Sequence, residues 1–147
     1  MWLLDTMVIS EMRRQAPDTQ VVSWLSSAPE NSLYLSVVTI SEIQRGIVRQ
    51  RDKDSLFAER LRHWLDTLLK NYADRILPVT PEIACRWGEL SAAAGHDGGD
   101  VIIAATALQH GLTVVTRNER HYKPFQVAIL NPYKHRLPQQ IPPGLKE

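Results

Sequence analysis

The stretch DVIIAATALQHGLTVVTRN, residues 100–118, decides the fold of this chain. In its first half the apolar residues recur at helical spacing, and Gly111 follows where a helix commonly ends in a left-handed residue. Residues 112–116 are a short, mostly β-branched run typical of an interior strand, and a polar triplet at 116–118 ends it. A buried helix that passes directly into a buried strand is typical of an α/β protein.

The same alternation of helix and strand continues outward from this stretch. Further strands are predicted from short apolar runs at residues 2–4, 33–36, 76–79 and 127–130. Helices are predicted from apolar spacing, capping residues and prolines at residues 8–12, 18–26, 38–48, 54–70 and 80–94. Because strands that alternate with helices pair in parallel, we expect a three-layer α/β fold with a mostly parallel central sheet of four to five strands flanked by helices.

The helix predicted at residues 54–70 is the most strongly amphipathic element. Its apolar face consists of Phe57, Leu61, Trp64, Leu65 and Leu68. Such a face fits packing against the core of this chain, and it fits equally well self-association or the binding of a partner. Both interpretations stay open on the sequence alone.

Length and composition indicate one soluble domain. A chain of 147 residues is long enough for a single core and short for two. The net charge of +1 does not by itself indicate a nucleic-acid partner, so any such affinity must come from a local patch. The single cysteine, Cys85, cannot form an intramolecular disulfide and is expected to be packed within a helix. Without a leader or a long apolar span in the sequence, we expect a cytoplasmic protein with no membrane association.

Basic side chains are concentrated between residues 45 and 62. Arginine or lysine occupies six positions there, against three acidic residues: Arg45, Arg49, Arg51, Lys53, Arg60 and Arg62. A run of this kind is commonly a solvated helical face, but it is also the candidate of this sequence for binding phosphates. Arg45, Arg49 and Arg51 are the candidate contacts to a nucleic-acid backbone.

Acidic residues lie at three predicted junctions between a strand and a helix: Asp5, Glu42 and Asp100. Each could simply satisfy the free N–H groups of a helix start. However, the carboxyl ends of parallel strands meet at one edge of a sheet, where ligands of α/β proteins bind. Three carboxylates brought together there repel one another unless a cation lies between them, and hard oxygen ligands suit Mg²⁺ or Mn²⁺. Such a metal activates water and stabilises charge on a phosphodiester.

Four segments taken in order resemble PIN-domain ribonucleases of the VapC and FitB type. They are LLDTMVISE at residues 3–11, Ser41-Glu42-Ile43 followed by Gly46, the stretch at 100–118, and ILNP at 129–132. The resemblance extends from residue 1 to about residue 133. It implies a PIN domain at residues 1–133 with its three-layer fold, followed by a proline-rich C-terminal tail at residues 134–147.

The resemblance also implies an activity and partners. Members of this family are metal-dependent endoribonucleases that act as the toxin of a bacterial toxin–antitoxin pair, so Mg²⁺ or Mn²⁺ and an RNA substrate, such as tRNA or another structured RNA, are expected. The toxin is expected to form a homodimer and to be neutralised by a small DNA-binding antitoxin of the VapB or FitA type. By position, Asp5, Glu42 and Asp100 match the acidic metal-site residues, Thr116 matches a hydroxyl beside that site, and Asn118 is included among the catalytic residues.

This chain departs from the family pattern at two places. Met7 replaces an asparagine two residues after the first aspartate. A fourth acidic residue, expected at position 118 or three residues later, is replaced by Asn118 and His121. The site therefore loses a negative charge and is expected to bind its metal less tightly. Glu119 could substitute if the loop allows it; otherwise Asn118 is a turn residue and His121 lies on the surface.

Two other classes of function fit part of the sequence. A degenerate PIN domain would bind RNA or its antitoxin without cleavage, and Met7 together with the missing fourth acid favours that alternative. A phosphotransferase or receiver-like domain would use Asp5, after the first strand, as its nucleophile. Against this, enzymes of the haloacid-dehalogenase type need a second aspartate two residues later, where this chain has Met7.

Overall fold

The computed structural model describes residues 1–134, in which five strands form one entirely parallel sheet. The strands are β1 (Trp2–Leu4), β2 (Leu33–Ser36), β3 (Ile76–Leu77), β4 (Thr113–Val115) and β5 (Ile129–Leu130). Their order across the sheet is β3-β2-β1-β4-β5. The predicted parallel α/β sheet is therefore confirmed, although β3, β4 and β5 are shorter than the apolar runs that predicted them.

Seven α-helices connect and flank the strands in the described part of the chain. They are α1 (Thr6–Glu11), α2 (Thr19–Ser27), α3 (Val37–Gln50), α4 (Ser55–Asn71), α5 (Pro81–Ala94), α6 (Gly99–His110) and α7 (Glu119–Tyr122). Side chains of Asp18, Ser36, Asp54 and Thr80 accept backbone N–H groups at the starts of α2 to α5. Gly111 ends α6 in the left-handed conformation, with φ of 66°.

Helices cover both faces of the sheet, which makes three layers. Neighbouring residues of β1 point into different cores: Leu4 packs with residues of α1 to α4, and Leu3 packs with residues of α6 and α7. Val115 and Val114 divide in the same way on β4. Two covered faces explain why these strands are continuous apolar runs instead of alternating patterns.

The structure decides several points that the sequence left open or predicted incorrectly. The apolar face of α4 belongs to the core, where Leu61, Leu65 and Leu68 are buried. The packed position predicted for Cys85 is wrong, since this residue is exposed on α5. Residues 135–147 of the predicted tail lie outside the described residues, so the boundary at residue 133 stays a prediction. Within residues 1–134, no helix is both long and apolar enough to cross a membrane.

Candidate active site

Asp5 lies where β1 passes into α1 and is held by backbone on both sides. Its N–H donates to the carbonyl of Val115 at 2.9 Å, which continues the pairing of β1 with β4. Its Oδ1 accepts the N–H of Thr6 at 2.9 Å, so Asp5 is the N-terminal cap of α1. The capping interpretation and the functional one are compatible here, because the second carboxylate oxygen, Oδ2, is not used for the cap.

Thr116 fixes this second oxygen. The Thr116 hydroxyl donates to Asp5 Oδ2 at 2.8 Å and accepts the N–H of Asn118 at 3.0 Å. Thr116 is fully buried behind Asp5 at the end of β4. The hydroxyl of Thr116, predicted to lie beside the metal site, therefore orients the carboxylate of Asp5. The backbone N–H of Asn118 bonds to the same hydroxyl, which holds Asn118 next to Asp5.

Asp100 lies in the first turn of α6, and Gly98 occupies the N-cap position. Asp100 therefore lies at the start of α6 as predicted, two residues inside the N-cap position, and Gly98 provides no side-chain cap. Asp100 Oδ1 accepts the adjacent N–H of Val101 at 3.1 Å. Its side chain is 22% exposed, which leaves it accessible to solvent and to a ligand.

Glu42 comes from the second turn of α3, one turn further from the strand than the predicted junction. Its carboxylate lies directly against the start of α6, since a Cβ atom built on Gly99 would be 2.6 Å from Glu42 Oε1. Glycine at position 99 allows this close approach of α3 and α6. As a result, Glu42 and Asp100 reach the same cavity from different helices.

The three carboxylates line one open cavity of about 440 Å³ at the carboxyl ends of the central strands, which we call the carboxylate cavity. Its lining residues come from α1, α3, α6 and the segment after β4: Asp5, Thr6, Met7, Ser10, Glu42, Asp100, Asn118, His121 and Tyr122. Of the predicted catalytic residues, only Thr116 does not line the cavity, because it supports Asp5 from behind. The roles of these residues in catalysis stay predictions.

Burial dominates the electrostatics of Asp5. It raises the pKa of the Asp5 carboxyl, the negative charge of Glu42 raises it further, and the hydrogen bonds from Thr116 and Thr6 only partly oppose this. The ionised form of Asp5 is therefore disfavoured in the protein without a cation. A positive charge in the cavity would relieve this cost, because an opposite charge stabilises the carboxylate.

Tyr122 is a site residue that the sequence analysis missed. Residues 119–122 form α7 and place Tyr122 in the core, 1% exposed. Its side chain lines the carboxylate cavity, and burial together with the nearby charges of Asp5, Asp100 and Glu42 raises the pKa of its hydroxyl. Tyr122 consequently stays protonated and adds no charge to the cavity. An aromatic residue in a polar segment was the signal for a buried position.

Asn118 and His121, at the two positions of the missing fourth acid, lie closer to the carboxylates than Glu119 does. Asn118 and His121 both line the carboxylate cavity, and His121 Nδ1 lies 4.0 Å from Asp100 Oδ2 although its side chain is 64% exposed. Glu119 instead accepts hydrogen bonds from Asn131 and Lys134 and does not line the cavity. The loop therefore does not allow Glu119 to substitute.

The basic residues predicted to contact a nucleic acid do not line this cavity. Arg45 and Arg49 are exposed on α3, and Arg51 directly follows that helix. Arg51 lines a separate cavity of about 270 Å³ between α3 and α4, together with Arg62. Their role as phosphate contacts stays a prediction that the position of the carboxylates does not support.

The donor chemistry of the carboxylate cavity fits a hydrated divalent cation. Within residues 1–134, no three His, Cys, Asp or Glu side chains are close enough to enclose a metal ion directly. Mg²⁺, however, commonly keeps several waters and is held by one or two carboxylates together with phosphate oxygens of the substrate. Glu42 and Asp100 provide oxygen donors for such an ion. Its positive charge would also stabilise the ionised form of Asp5, which burial disfavours.

A parallel α/β sheet with an acidic cavity at its carboxyl edge is the arrangement of an α/β protein that binds a ligand at the ends of its strands. Residues 2–124 match the model of the PIN domain, and this chain belongs to the PIN-domain family. It is 36% identical to Toxin FitB of Neisseria gonorrhoeae over 90% of this chain and 99% of that protein. It is also 32% identical to VapC ribonuclease Y4jK of Sinorhizobium fredii, over 91% and 99% of the two chains.

Solved structures agree with this assignment. The crystal structure of FitAcB from Neisseria gonorrhoeae matches with a TM-score of 0.75 and 36% identity, covering 91% of this chain and 99% of that one. The structure of FitAB bound to an IR36 DNA fragment also matches with a TM-score of 0.75, at 34% identity and over 93% and 99% of the chains. The three-layer PIN fold implied by the sequence motifs is therefore confirmed.

Proposed function

We propose that this protein is a metal-dependent endoribonuclease, the toxin of a toxin–antitoxin pair, which cleaves tRNA or another structured RNA in the bacterial cytoplasm. The observation that carries the proposal is the convergence of Asp5, Glu42 and Asp100 on one open cavity. Support also comes from its relatives, which are named as a toxin and as a VapC ribonuclease.

The role proposed for each side chain, metal binding or orientation of a ligand, follows from its surroundings. Asp5 and Asp100 would hold Mg²⁺ or Mn²⁺, with Glu42 contributing directly or through water. A bound cation would supply activation of a water molecule and stabilisation of charge on the phosphodiester. Thr116 and the Thr6 N–H orient the Asp5 carboxylate, and the neutral hydroxyl of Tyr122 lines the same cavity without adding charge.

The proposed partner is a small DNA-binding antitoxin. Of the two similar solved structures, one is FitAcB and the other is FitAB bound to a DNA fragment. An antitoxin segment that covered the open carboxylate cavity would block access of RNA to Asp5, Glu42 and Asp100. We further propose that the toxin is a homodimer within the complex, as the family resemblance implies.

A PIN domain that binds RNA or its antitoxin without cleavage is the second candidate. It is favoured by Met7, which lines the carboxylate cavity where a polar group is expected and is 43% exposed. It is also favoured by Asn118 and His121, which supply no fourth carboxylate. Loss of metal binding would be its signature.

The experiment that tests the proposal is cleavage of a total tRNA pool by antitoxin-free protein in Mg²⁺ or Mn²⁺. The wild type is compared with Asp5→Asn and Asp100→Asn, and with Asp66→Asn as a matched control on the exposed side of α4. We expect discrete metal-dependent products from the wild type and the control, and none from the two cavity variants. Titration calorimetry with Mn²⁺ is run on the same four proteins.

The outcomes separate the two candidate functions. Identical RNA products from all four proteins, together with no heat of Mn²⁺ binding in the wild type, would contradict the nuclease proposal. The function without cleavage would then be favoured. Cleavage that persisted in EDTA would contradict the metal dependence. Loss of cleavage in both cavity variants, with unfolding temperatures close to that of the wild type, would establish the site.

A further inference from the structure

A second cavity of about 410 Å³ adjoins the carboxylate cavity, and we call it the basic pocket. The two cavities share Asn118 and His121 in their linings. Arginine and lysine side chains complete the basic pocket: Arg117, Arg120 and Lys134. An acidic cavity and a basic one therefore lie side by side, separated by Asn118 and His121.

The positive charge of the basic pocket is only partly compensated. Its one carboxylate, Glu119, is bound by Lys134 Nζ at 2.7 Å and by Asn131 Nδ2 at 3.2 Å. Among residues 1–134, neither Arg117 nor Arg120 has a carboxylate oxygen within 4.0 Å. Lys134 and Glu119 thus neutralise each other, and the two exposed guanidinium groups keep their charge for a ligand.

Arg117 is held in place by a chain of contacts that ends at the buried carboxylate of Glu11. Its guanidinium lies over the ring of Tyr133, 4.8 Å from the ring centre. The Tyr133 hydroxyl donates to Oε2 of Glu11 at 2.7 Å, and Glu11 is 3% exposed. A guanidinium that stacks on an aromatic ring keeps its N–H donors free at the edge, in a planar arrangement that matches phosphate oxygens.

We propose that the basic pocket binds a phosphate of the RNA strand next to the phosphodiester that lies in the carboxylate cavity. This inference rests on the proposed function and identifies the side chains, Arg117 and Arg120, that hold the substrate. Because carboxylates repel the RNA backbone, a nuclease site of this kind needs cationic groups beside the metal position. The basic pocket provides such groups and shares two lining residues with the carboxylate cavity. Arg45, Arg49 and Arg51 do not line either cavity.

The test measures binding without cleavage. A fluorescent single-stranded RNA is titrated with protein in EDTA, and anisotropy gives Kd over a range of salt concentrations. The double variant Arg117→Gln/Arg120→Gln is compared with Arg13→Gln/Lys70→Gln, which removes two positive charges outside both cavities and outside the basic run at residues 45–62. The control pair also combines an exposed arginine over an aromatic ring, Arg13 on Phe57 at 5.5 Å, with a second exposed cation.

We expect the pocket variant to bind RNA about tenfold more weakly or worse, and the control pair to change Kd less than about twofold. The slope of log Kd against log salt is expected to fall by about 0.7 for each phosphate that the variant no longer neutralises. If the pocket variant unfolds at a lower temperature than the wild type, the single variant Arg120→Gln, which leaves the stack on Tyr133 intact, is used for the comparison.

Three results would overturn the inference. Equal weakening by the pocket and control pairs would mean that only the overall charge acts, and unchanged RNA affinity in the pocket variant would exclude a phosphate at this position. RNA affinity that is unchanged while antitoxin binding is abolished would assign the pocket to a protein partner instead. Failure of the proposed function is distinguishable, because a wild type that binds RNA through the pocket but does not cleave it in Mg²⁺ or Mn²⁺ contradicts only the nuclease activity.

Discussion

The hydroxyl of Thr116 donates a 2.8 Å hydrogen bond to the carboxylate of Asp5, across 111 positions of sequence. Each of these residues directly follows a strand, and β1 and β4 are paired so that Leu4 lies beside Val115. The parallel register of two central strands therefore creates the contact. Any change in that register would separate the hydroxyl from the carboxylate.

Thr116→Val tests this bond, because valine keeps the shape of threonine and removes its hydroxyl. We expect the unfolding free energy to fall by about 1–3 kcal/mol, since the half-buried carboxylate of Asp5 loses a hydrogen-bond donor. RNA cleavage is expected to fall with it because Asp5 is no longer oriented. Urea unfolding and a tRNA cleavage assay measure the two effects. Thr116→Ser, which retains the hydroxyl, should keep most of the activity; equal loss in both variants would contradict the proposed role.

Asp5→Asn is expected to abolish cleavage and the response of stability to metal. Burial raises the pKa of the Asp5 carboxyl, so the folded state favours its ionised form less than the unfolded chain does. A neutral amide avoids that cost, but its Nδ2 cannot accept the Thr116 hydroxyl as Oδ2 does, and the two effects oppose each other. We therefore expect Tm in EDTA to stay within about 4 °C of the wild type. Added Mn²⁺ should raise the Tm of the wild type and not that of the variant. An equal rise of Tm with Mn²⁺ in both proteins would contradict this account of Asp5.

Asn118→Asp is expected to restore the missing negative charge, because Asn118 lines the carboxylate cavity. Cation affinity in oxygen-ligand sites rises with the number of charged ligands, and we expect Mn²⁺ to bind about tenfold more tightly by titration calorimetry. The metal-free protein should become less stable, since the new charge repels Asp5 and Asp100. Asn31→Asp, at an exposed position of the short 3₁₀-helix Glu30–Ser32, adds the same net charge and should change neither quantity.

Gly99→Ala tests the close approach of α3 and α6. An alanine Cβ would lie 2.6 Å from Glu42 Oε1 and 3.0 Å from Val38 Cγ1, so the Glu42 carboxylate must move. We expect cleavage to fall at least about tenfold with little loss of stability, since the displaced atom is the end of a flexible side chain. Gly46→Ala on α3 meets nothing within 4 Å and should gain about 0.5–1 kcal/mol while staying active. Equal activity in both variants would mean that the position of Glu42 is not critical.

Much of the fold could be predicted from local patterns. The apolar runs at residues 2–4 and 33–36 coincide with β1 and β2, and the capping side chain of Asp54 marks the start of α4. Asp5, Glu42 and Asp100 could be placed at one edge because parallel strands end there. Periodicity and capping are properties of short segments, so they can be recognised without the tertiary structure.

The remaining parts of the site depend on contacts between distant segments. Tyr122 reaches the carboxylates only because α7 packs into the core, and the basic pocket joins Arg117 to Lys134 across β5. The basic run at residues 45–62 was a stronger signal in sequence than Arg117 and Arg120. Its side chains nevertheless lie on α3, α4 and the turn between them, and none lines the carboxylate cavity. The density of charged residues along a sequence does not show on which face of the folded protein those residues lie.

Glu11 should make folding stability depend on acid pH. Burial raises the pKa of its carboxyl, but the Asp18 N–H, the Tyr133 hydroxyl and Arg14 together lower it below the usual value of 4.5. The ionised form is therefore favoured by folding. Its stabilisation is fully present above the pKa of the unfolded chain and is lost as the pH falls through the lower pKa of the folded state.

Glu11→Gln removes this charge and keeps the size of the side chain. We expect the variant to lose about 1–3 kcal/mol at pH 7, because the Tyr133 hydroxyl and the Asp18 N–H then meet a weaker acceptor. Between pH 7 and about pH 3 the variant should lose less stability than the wild type, so their urea midpoints should converge as the solution is acidified. Glu89→Gln, on the exposed face of α5, should follow the wild type at every pH. Parallel curves for wild type and Glu11→Gln would show that folding does not lower the pKa of Glu11, and the support of Tyr133 beneath Arg117 would then need another origin.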